Sequence, residues 1–421
     1  MRSWLKRQIY KRLTSLPRRE ASRASLSARR QARGEQRELL YFHRFGDPAS
    51  AITAPLLLRL ADRFDVSVTC HIVGPPDPAV VPEPEQLDAF ARADADRLAR
   101  RMGLAFRDPG TAPAAGRIDL AERAALDGPG SLTAICAVDA ALWSGETIPA
   151  PERTGAMDDA RDAGSRLRDR LGHFQSGTVW FENEWYWSAD RLHYLETRLR
   201  ADGAARPGSP DTPLAPVLHE TGQGGDAGGA RIVFFPSLRS PYTYLAAERT
   251  FALARRWNAE VEIRFVLPMV MRSLPVPRRK GVYFLKDCAR EADRLGLPFG
   301  DICDPLGRPT ERGLAVLHHA NETGRGEAFL LSMLKGVWAD GLDAGSDRGL
   351  RRIAERAGLD WAEARAALED GSWRTLAEHN RTRLAGLGLW GVPSFQLGDC
   401  AVWGQDRLWV VEDALRALAE R

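Results

Sequence analysis

Cysteine is scarce: the 421-residue chain holds five, Cys70, Cys136, Cys288, Cys303 and Cys400. None lies in a Cys-x-x-Cys or zinc-ligand spacing, which excludes a disulfide scaffold and a thiolate metal site, so no metal is expected. A reducing, cytoplasmic compartment is the simplest reading. Nowhere does the chain approach the run of about 18 consecutive apolar residues that a membrane-spanning helix requires. No glycine-rich phosphate loop is present either, since Gly224-Gly225 and Gly228-Gly229 belong to a Gly/Pro-rich stretch. The N-terminus lacks the apolar core of roughly 7–15 residues found in a secretory signal, so export is not expected. What remains is a globular composition, 44% apolar and 27% charged, long enough for two domains.

Charge is unevenly spread. Residues 1–33 carry eleven Lys/Arg against one acid, Glu20, a charge of +10 that leaves −7 for the rest of a chain whose net charge is +3. Trp4, Leu5, Ile9 and Leu13 share one helical face if this basic arm (1–35) folds, giving a short helix able to touch an anionic surface. The simpler expectation is a solvated, partly disordered extension. Residues 201–230 hold seven Gly and four Pro in 30 positions. Such a stretch buries too little surface to order itself and reads as a linker between domains at 36–200 and 231–421.

The two halves follow one plan. Each begins with a short apolar strand pattern, Leu39-Leu40-Tyr41-Phe42 and Ile232-Val233-Phe234-Phe235, followed by a helix that opens on Pro48 or Pro241. A shift of 193 pairs Phe42 with Phe235, Pro48 with Pro241, Leu60 with Leu253 and Arg63 with Arg256. A shift of 216 lays residues 172–200 on 388–416 with eight identities in 29, among them a shared Trp-x-x-Asp-Arg-Leu. An internal duplication is the reading. In each half the order is strand, helix, strand, helical insert, hairpin, helix. The second hairpin turns on Gly398-Asp399, where glycine supplies positive φ without steric cost. The expected class is α/β: two tandem thioredoxin-like domains, each with an all-helical insertion.

Three segments carry a family resemblance. Phe234-Phe235-Pro236-Ser237-Leu238-Arg239-Ser240-Pro241-Tyr242-Thr243-Tyr244-Leu245-Ala246 resembles the opening of the 2-hydroxychromene-2-carboxylate isomerase and kappa-class glutathione transferase group of the DsbA-like families. Pro277-Arg278-Arg279-Lys280-Gly281-Val282-Tyr283 is similar to that group's Lys-Gly-x-Tyr loop. Gly388-Leu389-Trp390-Gly391-Val392-Pro393-Ser394-Phe395, followed by Trp403-Gly404-Gln405-Asp406-Arg407-Leu408, is the strongest match. The resemblance covers nearly all of 231–420, while the first half shares only the DsbA-like outline. Two departures stand out: Ser237 where the group usually has Asp, and Ser273-Leu274-Pro275 in place of Asn-Pro-Pro.

Taken alone, Ser240 followed by Pro241 is a good helix start, because serine accepts a backbone N–H and proline presets φ. The resemblance implies more, namely that the Ser240 hydroxyl contacts the sulfur of bound glutathione. Lowering a thiol pKa from about 8.5 by ~2 takes ~2.7 kcal/mol of preference for the anion. A hydrogen bond to a charged group supplies roughly 1.5–3 kcal/mol and a helix N-terminus roughly 0.3–2 kcal/mol. Together they suffice without a cationic side chain. By the same resemblance Val392-Pro393 is a cis bond that pairs with the tripeptide backbone. Asp406 and Arg407 hold the γ-glutamyl end with Gln405 capping it, and Lys280 either meets a glutathione carboxylate or is a plain surface lysine.

In the first half Asp47 stands at the position of Ser240 and Gly177 at that of Pro393. A carboxylate raises the pKa of a neighbouring thiol, so this half reads as a degenerate copy that packs against or covers the active one. His43, on an apolar strand, is read as structural rather than as an acid-base partner of Asp47. The implied function is glutathione-dependent isomerisation or transfer on an electrophilic, aromatic-derived small molecule, with no nucleic acid expected and a homodimer compatible with the chain. Two other classes stay open: a non-catalytic binding or scaffold protein, and a dithiol oxidoreductase. The latter is disfavoured because Ser240 and Thr243 occupy the positions that would be cysteines.

Overall fold

The structure, a computed structural model, describes residues 2–81, 84–127, 130–150 and 157–420; the Trp4 side chain lies outside what it describes. The chain forms two compact units. One comprises Glu20–Val217; the other joins the residues up to Arg19 with those from Leu218 onward. Helices α1 (Arg2–Thr14) and α2 (Leu16–Ala32) precede the first sheet. The first unit then runs β1 (Glu38–His43), α3 (Pro48–Arg63), β2 (Ser67–Ile72), an insert of α4 (Pro84–Arg101), α5 (Ala115–Asp127), α6 (Leu132–Ser144) and α7 (Met157–Arg170), then β3 (Thr178–Phe181), β4 (Glu184–Trp187) and α8 (Ala189–Ala201).

The second unit repeats the order with a longer insert. It has β5 (Arg231–Phe235), α9 (Pro241–Arg256), β6 (Glu260–Ile263), α10 (Arg278–Leu295), α11 (Arg308–Glu322), α12 (Gly326–Trp338), α13 (Asp347–Arg356), α14 (Trp361–Ala366) and α15 (Trp373–Gly386). The hairpin β7 (Ser394–Leu397) and β8 (Cys400–Trp403) and helix α16 (Leu408–Ala419) close it.

Strand order is β2-β1-β3-β4 in one sheet and β6-β5-β7-β8 in the other. In both, the strand-helix-strand crossover is parallel and the hairpin strands are antiparallel. Register agrees as well. Leu39 faces Val68 as Ile232 faces Val261, and Tyr41 faces Val179 as Phe234 faces Phe395. Phe234 and Phe395 stack at 5.2 Å on the central strands of the second sheet, in a core that Leu245, Phe251, Leu314, Leu330, Met333 and Val337 extend into the insert. The Gly398-Asp399 turn forms as expected, with Gly398 at φ 55° between the paired Leu397 and Cys400.

Two expectations are corrected. The basic arm is helical, and several of its charges face acids. Arg7 and Lys11 meet Asp301, and Arg19 meets Asp293 at 2.6 Å. On α2, Arg23 meets Glu184, while Arg30 meets Glu182 and Asp202. Local acids therefore neutralise much of the charge that read as free to touch an outside surface.

Nor is 201–230 structureless. Ser209 Oγ donates to Arg63 O at 2.7 Å, Gly225 N donates to Arg256 O at 3.0 Å, and Ala227 N donates to Trp257 O at 2.8 Å. Two of its glycines provide close approach: a Cβ on Gly224 would sit 2.5 Å from Arg256 O, and one on Gly225 2.8 Å from the Trp257 ring. No helix among the described residues is long and apolar enough to cross a membrane.

Candidate functional site

β5 ends at Phe235, and the next four residues turn the chain into α9. Ser240 N donates to Ser237 O at 3.0 Å, closing that turn. Ser240 caps α9 from extended backbone, φ −97° and ψ 114°, its hydroxyl oxygen accepting Thr243 N at 3.2 Å. Pro241 follows at the position where a missing N–H costs nothing. The same hydroxyl donates to Val392 O at 3.4 Å. That long bond is weak enough for another acceptor to replace. The fold thus brings Ser240 directly onto the Val392-Pro393 loop, 152 residues away in sequence.

The Val392-Pro393 bond is cis. Gly404 N donates to Pro393 O at 2.9 Å, and Ser394 Oγ donates to Gly391 O at 2.8 Å, so both flanks of the loop are pinned. Gly391 must lack a side chain, because a Cβ there would lie 1.9 Å from the Trp403 ring. The Val392 N–H makes no hydrogen bond among the described residues. A backbone donor and a lightly held carbonyl on one residue form the edge that an extended peptide pairs with. Nearby, the Ser237 hydroxyl is buried without a partner among the described residues.

Lys280 lies in the first turn of α10 and is 5% exposed, which removes the surface-lysine reading. Its Nζ sits 5.7 Å from the Phe284 ring centroid and 5.9 Å from that of Trp390, two residues before Val392. Burial pushes its amine down to about 8. Asp406 and Arg407 precede α16, with Arg407 Nη1 at 3.2 Å from Asp406 Oδ1 and Arg407 itself buried. They connect to the loop through the Gly404–Pro393 backbone bond.

Gln405 is a correction. Its amide oxygen accepts Arg249 Nη1 at 2.8 Å and its amide nitrogen donates to Glu291 Oε2 at 2.9 Å, at 1% exposure. Both ends are committed to a buried network, so it caps nothing outside the fold.

Sequence reasoning missed a further group. Tyr242 donates its hydroxyl to Asp287 Oδ2 at 2.9 Å, and Arg290 Nη2 donates to Asp287 Oδ1 at 2.9 Å. The available signal was the spacing of Phe284, Asp287 and Glu291 on α10, which puts carboxylates on the face that an aromatic ring marks as buried.

No cysteine stands at the start of α9 or on the Val392-Pro393 loop. Burial pushes the Cys70 and Cys136 thiols up to about 12, and Cys288 is fully buried. Among the described residues no group of three or more His, Cys, Asp or Glu could hold a metal ion.

In comparison with known proteins, residues 231–416 match the DSBA-like thioredoxin domain. A 2-hydroxychromene-2-carboxylate isomerase of Pseudomonas putida is 25% identical over 202 residues, covering 45% of this chain and 95% of the relative. One from Sphingobium xenophagum is 27% identical over 199 residues, covering 44% of this chain and 97% of the relative. Among solved structures, a 2-hydroxychromene-2-carboxylate isomerase aligns with TM-score 0.39 and 21% identity over 45% of this chain and 95% of its own. The cytosolic disulfide reductase DsbM from Pseudomonas aeruginosa with GSH aligns with TM-score 0.36 and 20% identity over 45% of this chain and 97% of its own.

Proposed function

We propose that this unit binds glutathione with its sulfur at Ser240 and isomerises, or transfers glutathione to, an electrophilic aromatic-derived small molecule, since residues 231–416 match a DsbA-like thioredoxin domain and the curated relatives are 2-hydroxychromene-2-carboxylate isomerases. The observation that carries the reading is the Ser240 hydroxyl, set at the start of α9 and facing the Val392 carbonyl at only 3.4 Å. A weakly engaged donor at a helix N-terminus favours an anion brought in from outside. The residues fit a tripeptide: Val392 offers its N–H and C=O, Asp406 and Arg407 follow Gly404, which is bonded to Pro393 O, and the buried Ser237 hydroxyl has a donor to give. Glutathione would supply the nucleophilic sulfur. The protein's part is to orient the peptide along Val392, hold negative charge at Ser240 Oγ, and present Trp390 and Lys280 beside the same loop.

Equal strand order and equal register in the two sheets support reading the first unit as a degenerate tandem copy. The dithiol reading loses support in the first unit, where the Cys70 and Cys136 thiols held near 12 stay protonated at neutral pH, and in the second because Ser240 and Thr243 stand where the cysteines would. The test is ultraviolet detection of the thiolate of bound glutathione, alongside calorimetry. Wild type should bind glutathione and show the thiolate band near neutral pH. Ser240→Ala should keep most of the binding and lose about tenfold in thiolate at fixed pH, the equivalent of one charge-assisted hydrogen bond. An unchanged band in Ser240→Ala would overturn the assignment, and absence of glutathione binding by wild type would favour the scaffold reading.

A further inference from the structure

Stabilising an anion at the start of α9 requires the first turn of that helix to stay in place, because a hydroxyl and backbone N–H groups act over hydrogen-bond distances and lose their effect with small displacements. Some of the bonds around this turn are local. Ser240 N reaches Ser237 O, Ser237 N reaches Thr243 Oγ1 at 3.3 Å, and Thr243 N reaches Ser240 Oγ. Longer-range bonds flank them: Arg239 pairs with Asp304 at 2.8 Å, Trp338 Nε1 donates to Leu238 O at 3.3 Å, and the Tyr244 hydroxyl donates to Pro298 O at 2.7 Å.

Tyr242, two residues past Ser240, makes the side-chain link to α10. Its hydroxyl crosses to Asp287 on α10, 45 residues away, at 2.9 Å. Asp287 is fully buried, and its second oxygen accepts from the buried Arg290 guanidinium. A carboxylate held by a guanidinium is a strong, fixed acceptor, so the phenol is anchored to a charged group rather than a neutral one. Phe284, one turn earlier on α10, meets the Tyr242 ring edge-on at 5.6 Å and restricts its rotation. Because Arg290 balances Asp287, the carboxylate anchors the helix start without placing a bare negative charge beside it.

We propose that Asp287 is a positioning residue for the Ser240 site, acting through Tyr242 to hold the first turn of α9 against α10. The inference rests on the glutathione reading above and goes further by assigning a distant residue to thiol activation. Tyr242→Phe removes one oxygen and keeps the ring on Phe284. Asp287→Asn keeps an acceptor for the phenol but breaks the charge pairing with Arg290.

Amide hydrogen exchange in the glutathione-free protein gives the first readout. Thr243 and Tyr244 should exchange severalfold faster in Tyr242→Phe and unchanged in an exposed control, Arg351→Ala on α13. The second readout is the bound thiolate, which in Tyr242→Phe should fall about threefold at fixed pH, with kcat falling more than KM changes. The double variant with Asp287→Asn should be no worse than the more affected single variant, because both act on one connection. Wild-type exchange at Thr243 together with a wild-type thiolate fraction in Tyr242→Phe would overturn the proposal. Faster exchange with no glutathione thiolate even in the wild-type protein would instead sink the function reading, and with it this role, while leaving the anchor standing.

Discussion

The chain starts a helix twice from nearly the same backbone: Asp47 caps α3 at φ −99°, ψ 117°, and Ser240 caps α9 at φ −97°, ψ 114°. At α3 the cap is itself an anion. Asp47 Oδ2 accepts Ser50 N at 3.1 Å, Ser50 Oγ at 2.7 Å and Ser176 Oγ at 2.9 Å, while Arg44 pairs with Oδ1 at 3.4 Å. At α9 the cap is neutral, and its one outward bond is the long one to Val392. The loops opposite differ in the same sense. Gly177, at φ 63°, sits so close to α3 that a Cβ would lie 2.8 Å from Ser50 N, whereas its counterpart Pro393 belongs to a loop that meets α9 through a side-chain hydroxyl. One helix start is closed by its own carboxylate and backbone; the other can accept a charge from elsewhere.

Grafting the first cap onto the second is the strongest way to break this contrast. Ser240→Asp keeps a good helix cap, so the thermal midpoint should hold, but it puts a carboxylate where the sulfur would be. Bound thiolate near neutrality should fall by about a hundredfold, roughly 2.7 kcal/mol, with activity following. A variant that still shows the thiolate band would mean the sulfur lies elsewhere.

Acid should separate the units next. His43, where the second unit has Pro236, is fully buried with its Nδ1 3.0 Å from the Tyr41 hydroxyl, and burial pushes it down to about 3. Its unfolded form takes a proton below about 6.5, the folded form only near 3, so the first unit loses stability as pH falls through that window. Taken alone this amounts to about 5 kcal/mol at most, opposed by the buried Asp139 carboxyl, 3.8 Å from His43 Nε2 and pushed up by burial, and His43→Phe should flatten the acid shift of the urea midpoint. The loop itself is probed by Gly177→Ala, which should cost the first unit about 1–2 kcal/mol through its positive φ and the close approach to α3. Denaturant titration that detects no change would show that the loop retreats easily and the closure is looser than its geometry.

Several features were legible beforehand because they are local or periodic. Ser-Pro and Asp-Pro announced the two helix starts, Gly398-Asp399 announced the hairpin, and constant offsets of 193 and 216 anticipated the matching registers now seen. Gln405 was misread because its neighbours Asp406 and Arg407 suggested a surface site, while its partners Arg249 and Glu291 come from helices 156 and 114 residues away. Gly224 and Gly225 were misread because flexibility and close approach share one composition, and only Arg256 O and the Trp257 ring beside them tell the two apart.

Residue order by itself determined where strands and helices begin, which cap is charged and which is neutral, and that no cysteine pair stands at either helix start, since these depend on a few adjacent side chains and their backbone preferences. Folding decided what those caps meet: Val392 against Ser240, Ser176 against Asp47, Asp287 against Tyr242, and acids against the basic arm. Hydrogen bonds and ion pairs act over a few ångströms, and the partners that come within that range are set by how the elements pack.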